Sequence, residues 1–290
     1  MPTAELPRPR LALESTLLLH GVPRESALPL AADLGKLAVA NGATPVLFGL
    51  RSGRGGAVLE PSDLAAMREA AFTPKLNTSS LGAAVAQRKS GATTVSSTME
   101  LASAAGVRVF ATGGLGGVHK HLSQRLDIST DLLAFTRFPI AVVTAGCKSI
   151  LDVLNTRELL ETLGVPVIGF RCDRFPAFYR RDGGADVDAR FDEVDALARF
   201  VRHELARTCR GIVICNPIPP EHEISETLWS GWLAEAEKQA VAAGATGRDV
   251  TPAVLGALHK VSGGQTLKAN IELIKHNVAV GAQLAAAIGV

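Results

Sequence analysis

The stretch FPIAVVTAGCKS at residues 138–149 decides how the chain folds. Within it, residues 140–143 are β-branched or small and bounded by Pro139 and Gly146, which reads as a strand buried on both faces of a largely parallel sheet. The segment that follows, SILDVLNTRELLETLG at 149–164, has helical spacing, so Lys148 falls at the carboxyl end of a strand, where open α/β sheets build their clefts. An amine set beside apolar walls loses the hydration of its charged form, which frees a lone pair for attack on a carbonyl. A lysine at such a place also serves simply as a solvated strand end, and the segment by itself leaves both readings open.

Outward from this strand the same alternation recurs. Residues 11–19 begin as a strand, 28–41 have helical periodicity, 45–49 read as a strand, and 61–71 open with a Pro-Ser-Asp helix start. Helices are predicted at 81–90 and 97–105, separated by the small-residue strand GATTVSS at 91–97, and a strand at 107–112 follows. Further strands are expected at 166–170, taken as the neighbour of the Lys148 strand, and at 211–215, which runs into the proline-rich loop NPIPPEHE. Helices at 221–243, 252–262 and 267–287 complete the chain. This order predicts a three-layer α/β/α sandwich with a mixed, largely parallel sheet, in one domain over residues 1–290.

No Pro/Ser-rich linker or charge block divides the 290 residues. Hydrophobic residues make up 47% and aromatic residues 4%, so the core is aliphatic. With 30 basic against 28 acidic residues and no Lys/Arg tract, polyanion binding along a basic stripe is not indicated, so no nucleic-acid polymer is expected as partner. Cys147, Cys172, Cys209 and Cys215 lack the spacing of a zinc ribbon or a redox pair and read as reduced and buried, with Cys147 alone adjoining a candidate reactive group. The beginning MPTAELPRPR has no apolar leader segment, and no run reaches the length of a membrane span. A soluble cytoplasmic protein is the expectation.

Three polar clusters interrupt the apolar pattern. Glu14, Ser15 and Thr16 follow a strand into an apolar setting, where a carboxylate must find partners or hold a proton. The run GGLGGVHKH at 113–121 demands a sharp turn or close approach to a ligand. It fits neither the mononucleotide nor the dinucleotide glycine template, and it reads equally as a tight strand-to-helix turn or as amides facing a phosphate. The run LDISTDLLAF at 126–135 puts Asp127, Ser129, Thr130 and Asp131 within five residues, either as a helix cap or as a hydroxyl-rich site for a cation and a sugar phosphate.

Taken together these segments resemble the pseudouridine-5′-phosphate glycosidase family, also called indigoidine-synthase-A-like. The resemblance rests on ALEST at 12–16 with HG at 20–21, GATTVSSTM at 91–99, VFATGGLGGVH at 109–119, DISTDL at 127–132 and AGCKSILD at 145–152. It continues through GVPVIGF at 164–170, FPAFYRR at 175–181, NPIPPE at 216–221 and GGQTLKANIEL at 263–273. It implies reversible chemistry at the carbon–carbon bond between ribose 5-phosphate and uracil. Such a bond has no lone pair to protonate, so hydrolysis by two carboxylates does not suit it. The family's route is an imine on a lysine with ring-opened ribose. By position that lysine is Lys148, the acid/base is Glu14 and a second active-site lysine is Lys75. The resemblance further implies Asp127 as ligand of Mn²⁺, Val95, Ser129, Thr130 and Asp131 as contacts to substrate, and His119 and Asn270 as active-site residues. A homotrimer is implied as well.

Two departures from the family pattern stand beside catalytic positions. After Glu14 the family reads HGMPYPxN, where this chain has HGVPRES. After Lys75 it reads serine, two arginines and aspartate, where this chain has Asn77, Thr78, Ser79 and Ser80. The motifs assigned to phosphoribose are nearly intact, so the departures fall on the aglycone side. Two enzyme readings follow: cleavage of pseudouridine 5′-phosphate, or a C-ribosylating synthase acting on an aromatic natural-product aglycone. A non-catalytic sugar-phosphate-binding regulator is a third, against which the joint retention of Glu14, Lys75, Asp127 and Lys148 argues.

Overall fold

Short apolar strands alternating with helices form a nine-stranded sheet in the computed structural model, which describes residues 7, 9–52, 59–120, 126–244 and 250–289. Most of the first eight residues, and His121 of the glycine-rich run, lie outside the described residues. The strands are β1 (Arg10–Glu14), β2 (Thr44–Leu50), β3 (Lys75–Leu76), β4 (Gly91–Thr93), β5 (Val109–Ala111), β6 (Ala141–Thr144), β7 (Val167–Phe170), β8 (Ala189–Phe191) and β9 (Ile212–Cys215). The helices are α1 (Ser15–His20), α2 (Ala27–Ala40), α3 (Pro61–Glu69), α4 (Thr78–Ala86), α5 (Val95–Ala104), α6 (Thr130–Ala134), α7 (Val153–Thr162), α8 (Val194–Thr208), α9 (Glu226–Ala242), α10 (Val250–Val261) and α11 (Gln265–Ile288).

The order across the sheet is β3-β4-β2-β1-β5-β6-β9-β7-β8, parallel throughout except where β4 meets β2. Central strands contribute to both faces. Leu11, Leu13, Val109, Ala111, Ala141 and Val143 enter one core with α2, α8 and α11, while Ala12, Phe110 and Val142 enter the other with α4 to α7. Burial on both sides explains why these strands read as continuous apolar runs instead of alternating. The result is the expected α/β/α sandwich. No described helix is long and apolar enough to cross a membrane.

Several expectations need correction. The partners of β6 are β5 and β9, whereas β7 lies one strand further out, because α8 carries the chain back and inserts β9 between them. The helix expected from residue 149 begins at Val153, capped by the Asp152 side chain on the Asn155 amide at 3.0 Å, because residues 148–151 are held in a turn by the Leu151 N–H on the Lys148 carbonyl. Prolines 219 and 220 give one 3₁₀ turn, and α9 starts only at Glu226 behind its Ser225 cap. The strand expected over 91–97 stops at Thr93, where a reciprocal Thr94–Ser97 cap starts α5 at Val95. Cys209 is exposed, at the left-handed C-terminal cap of α8, and only the other three cysteines are buried.

Candidate active site

Parallel strands bring their carboxyl ends to one edge of the sheet. Leu13 pairs with Ala111 and Ala111 with Val143, so Glu14, Thr112 and the loop after Thr144 emerge side by side. Because β4 reverses direction against β2 and β3 follows it, Lys75 enters the sheet at this same edge, opposite Ala92, which faces Gly49. Glu14, Lys75 and Lys148 thus line one cavity of about 130 Å³, together with Asn270 from α11.

Glu14 is buried and accepts a hydrogen bond from the Thr112 hydroxyl. Burial pushes its carboxyl up from 4.5 to about 7, opposed by the charge of Lys148, the Thr112 hydroxyl and Lys75, and reinforced by Asp131. The Lys75 ammonium is pulled below the usual lysine range by desolvation and then by Lys148, with Glu14 acting against both. His20, which faces the cavity and had not been singled out, is held low by burial and by Lys75 against a contact with the Thr73 carbonyl. A proton-exchanging carboxyl near neutrality beside two amines is equipped to move protons around a carbonyl or imine carbon.

The loop carrying Lys148 is clamped from two sides. Its backbone donates from Lys148 to the Leu115 carbonyl at 3.1 Å, while Leu115 donates to Gly146 at 2.9 Å. Gly146 has φ +79, and a Cβ there would lie 1.8 Å from the Pro176 carbonyl oxygen. Over this turn lies the segment FPAFYRR, with Phe178 at φ +60, a conformation that a bulky side chain rarely adopts. It is held by Phe178 N–H on the Ala145 carbonyl at 2.8 Å and by Ser149, whose hydroxyl donates to Ala177 and accepts from Tyr179 N–H at 3.2 Å. The Phe178 ring fills the space a Cβ on Gly114 would need, and Tyr179 packs against Trp229 at 5.4 Å. Below, Asn277 takes a hydrogen bond from Asn216 at 2.9 Å and donates to the Thr112 carbonyl at 2.8 Å, fixing the strand end that orients Glu14. Thr112, Phe178 and Tyr179 fall within quoted motifs but received no role, since loop aromatics and a buried hydroxyl carry no periodic signal, and Trp229 and His259, on α9 and α10, were missed because helical spacing does not show which residues of a helix reach the cavity.

The remaining predicted residues form a second cluster. Asp131 is buried and accepts from the amides of Ser96 and Gly116, both at 2.9 Å. It braces the first turn of α5 against the glycine-rich loop instead of presenting free oxygens. Ser129 caps Asp131 at 3.2 Å, and Thr130 shares a 3.0 Å contact with the Ser96 hydroxyl. Val95 buries its side chain, so only its backbone at the start of α5 is available to a ligand. His119 and Asp127 are joined by their backbones, amide to carbonyl at 3.0 Å, and neither lines the cavity with Lys148. Among the described residues no three His, Cys, Asp or Glu side chains gather around an ion, and Asp127 is exposed. Such a lone carboxylate fits a hard cation only if water and a substrate phosphate supply the rest of its shell.

Cys147 is buried and its thiol is pushed up to about 12 by desolvation, which removes it from chemistry at neutral pH. Two buried polar atoms at the cavity have no partner, Thr16 Oγ and Asn270 Oδ1. The amide of Asn270 is oriented by its Nδ2, which donates to the Gly21 carbonyl at 3.2 Å. Its oxygen is thereby left buried at the cavity as an acceptor without a donor.

The family model described as indigoidine synthase A like protein matches residues 3–287. The chain belongs to that family. It is 44% identical over 97% of its length to a pseudouridine-5′-phosphate glycosidase of Methylobacterium nodulans, of which it covers 83%. It is 41% identical to the protein of that name from Symbiobacterium thermophilum, covering 97% of this chain and 93% of the relative. Among solved structures, the prealnumycin C-glycosynthase AlnA, in complex with ribulose 5-phosphate, superimposes with a TM-score of 0.88 at 34% identity, over 97% of this chain and 92% of AlnA. An indigoidine synthase A-like protein of Thermotoga maritima gives 0.86 at 33%, over 96% and 92%.

Proposed function

We propose that the protein reversibly breaks and forms the C1′–C5 bond between ribose 5-phosphate and uracil, through an imine on Lys148. The observation that carries this is the meeting of Glu14, Lys75 and Lys148 in one cavity with Glu14 raised to about 7. Its relatives' names support it.

In the cleavage direction Glu14, protonated, gives its proton to O4′ as the C1′–O4′ bond breaks and the sugar opens. Lys148 Nζ adds to C1′ and loses a proton. The C1′–C5 bond then breaks with a proton delivered to C5, while the nitrogen lone pair forms the C=N bond. Water hydrolyses the imine, releasing ribose 5-phosphate and restoring the amine, so that one water is consumed per bond broken. Lys75 stands beside this centre with its ammonium held below the usual lysine range by desolvation and by the neighbouring charge of Lys148. Asp131 holds Gly116, next to Leu115, whose carbonyl accepts from the Lys148 N–H, and so braces the loop after Thr112.

Mn²⁺ belongs to the proposal as an ion held by Asp127, where its charge would offset that of the substrate phosphate. Homotrimeric assembly and a cytoplasmic setting belong to it too. The second reading, C-ribosylation of an aromatic acceptor, is favoured by the departures at 22–26 and 77–80. There Arg24 turns away to pair with Glu69 at 2.8 Å and Asn77 spends its side chain capping α4. Incubation with pseudouridine 5′-phosphate and Mn²⁺, with uracil release followed, tests the first reading. Release with kcat/KM of roughly 10⁴ M⁻¹s⁻¹ or more supports it. Absence of release over hours would overturn it.

A further inference from the structure

His259 lies outside every motif on which the family resemblance rests, yet it lines the cavity with Lys148 from the last turn of α10. Its Nδ1 stands 3.0 Å from the Thr266 hydroxyl, and that hydroxyl stands 2.9 Å from the Ser262 hydroxyl. Ser262 in turn reaches the His259 carbonyl at 3.4 Å. Thr266 and Ser262 are buried, so the ring is held at one nitrogen by groups shielded from water. The other nitrogen, Nε2, makes no hydrogen bond among the described residues and is not closed off by them.

A hydroxyl both donates and accepts, so this short relay runs in two directions. With Ser262 donating to Thr266 and Thr266 to Nδ1, the free Nε2 carries the proton. With Nδ1 donating to Thr266, Thr266 to Ser262 and Ser262 to the His259 carbonyl, Nε2 carries a lone pair instead. In both arrangements the ring is neutral, since burial holds His259 below the ordinary histidine range and no charged group among the described residues acts on it. Asn270 Oδ1, unpaired on the same cavity, only accepts. His259 is therefore the group there that adapts to a donor or an acceptor without changing charge.

We propose that His259 is a specificity-determining residue for the leaving base, its Nε2 meeting the amide edge of the uracil ring while Thr266 and Ser262 hold the imidazole in place. The proposal rests on the Lys148 imine and the uracil reading argued above. Two observations point to the base and not to the sugar phosphate. The residues expected at phosphoribose, Val95, His119, Asp127, Ser129, Thr130 and Asp131, do not line this cavity, and a phosphate calls for cations or converging amides, which His259 lacks around it. The walls beside His259 are the rings of Trp229, Tyr179 and Phe178, which suit a planar heterocycle whose polarity is confined to its edge.

The test runs the reaction toward synthesis on the full chain, varying uracil and ribose 5-phosphate separately and following pseudouridine 5′-phosphate by chromatography. His259→Ala should raise KM for uracil by about tenfold, the effect of one hydrogen bond of ordinary strength, with KM for ribose 5-phosphate unchanged. His259→Gln, whose amide both donates and accepts, should recover most of that loss, which a merely structural role would not allow. Thr266→Val should show a smaller rise for uracil alone, and Lys260→Ala, on the exposed side of α10, none. An unchanged uracil KM in His259→Ala, or equal rises for both substrates, would overturn the proposal. Borohydride trapping of ribose 5-phosphate on Lys148 reads the underlying chemistry separately. An adduct at wild-type yield in His259→Ala is expected. No adduct in the wild type overturns the imine and this role with it, whereas an adduct without any product from uracil overturns uracil as the base that His259 meets.

Discussion

Among the described residues, no buried polar side-chain atom around Asp131 lacks a partner within the protein, whereas two around Asn270 do. Asp131 spends both oxygens on the amides of Ser96 and Gly116, Ser129 caps it, and Thr130 meets Ser96. At the cavity with Lys148, Asn270 Oδ1 and Thr16 Oγ are buried and unpaired. The first region is internally satisfied and holds backbone in place, so it sets geometry. The second carries unmet hydrogen-bonding capacity, which costs about 1–3 kcal/mol per group until a ligand meets it, so it sets selectivity. Of the departures from the family pattern, 77–80 adjoins the first region, where the Thr78 N–H meets the Ser96 hydroxyl at 3.4 Å, while 22–26 follows Gly21, whose carbonyl accepts from Asn270.

Glu14 joins the two, and Glu14→Gln is expected to have the largest effect. Turnover should fall by roughly 10²–10⁴-fold, measured as initial rate of uracil or C-riboside formation, because the side chain can no longer exchange a proton. Stability should change in the opposite sense. The folded protein holds this proton up to about pH 7, against 4.5 ordinarily, so the stabilisation from protonated Glu14 is complete below pH 4.5 and is lost as pH rises through 7. Relative to the Gln variant, wild type should lose roughly 3 kcal/mol between about pH 5 and about pH 8 by denaturant titration.

Asp131→Asn probes the satisfied region. It leaves one of two buried amides facing an NH₂ group and should destabilise by about 1–3 kcal/mol. It also removes a negative charge that raises Glu14, so the Glu14 limb of the pH–rate profile should move below 7. Asn270→Ala probes the unsatisfied region. Thermal stability should hardly change, since only the Gly21 carbonyl loses a bond, while discrimination between acceptors should relax by about 10²-fold. The smallest effect concerns the cysteines. Iodoacetamide at neutral pH should alkylate exposed Cys209 and spare Cys147, whose thiol stands at about 12, and a peptide map reads the difference.

What the sequence discloses follows the same division. The strand FPIAVVT, the helices and the layered architecture are legible because burial on both faces leaves a continuous apolar signal. Glu14 and Lys148 are legible as polar residues at the carboxyl ends of such strands, and their roles came from the motifs around them. Strands β3 and β8, with two and three residues, are too short to show a period, and their places in the sheet come from pairing with β4 and β7. The insertion of β9 between β6 and β7 is a long-range pairing that local pattern does not encode. Helix α8 was legible and overlooked, since Leu197, Ala198, Val201 and Leu205 recur at helical spacing. The aromatic wall of Phe178, Tyr179 and Trp229 depends on a left-handed backbone at Phe178, which no spacing announces.

Both regions serve one reacting atom, Lys148 Nζ, and borohydride trapping addresses it most directly. Ribose 5-phosphate and borohydride should leave a single sugar-phosphate adduct, located by peptide mass spectrometry on Lys148. Lys148→Ala, in a side chain exposed to the cavity and outside the core, should fold normally and show neither adduct nor turnover. An adduct on Lys75 in the wild-type protein, or undiminished turnover in Lys148→Ala, would contradict the assignment of Lys148 as the nucleophile.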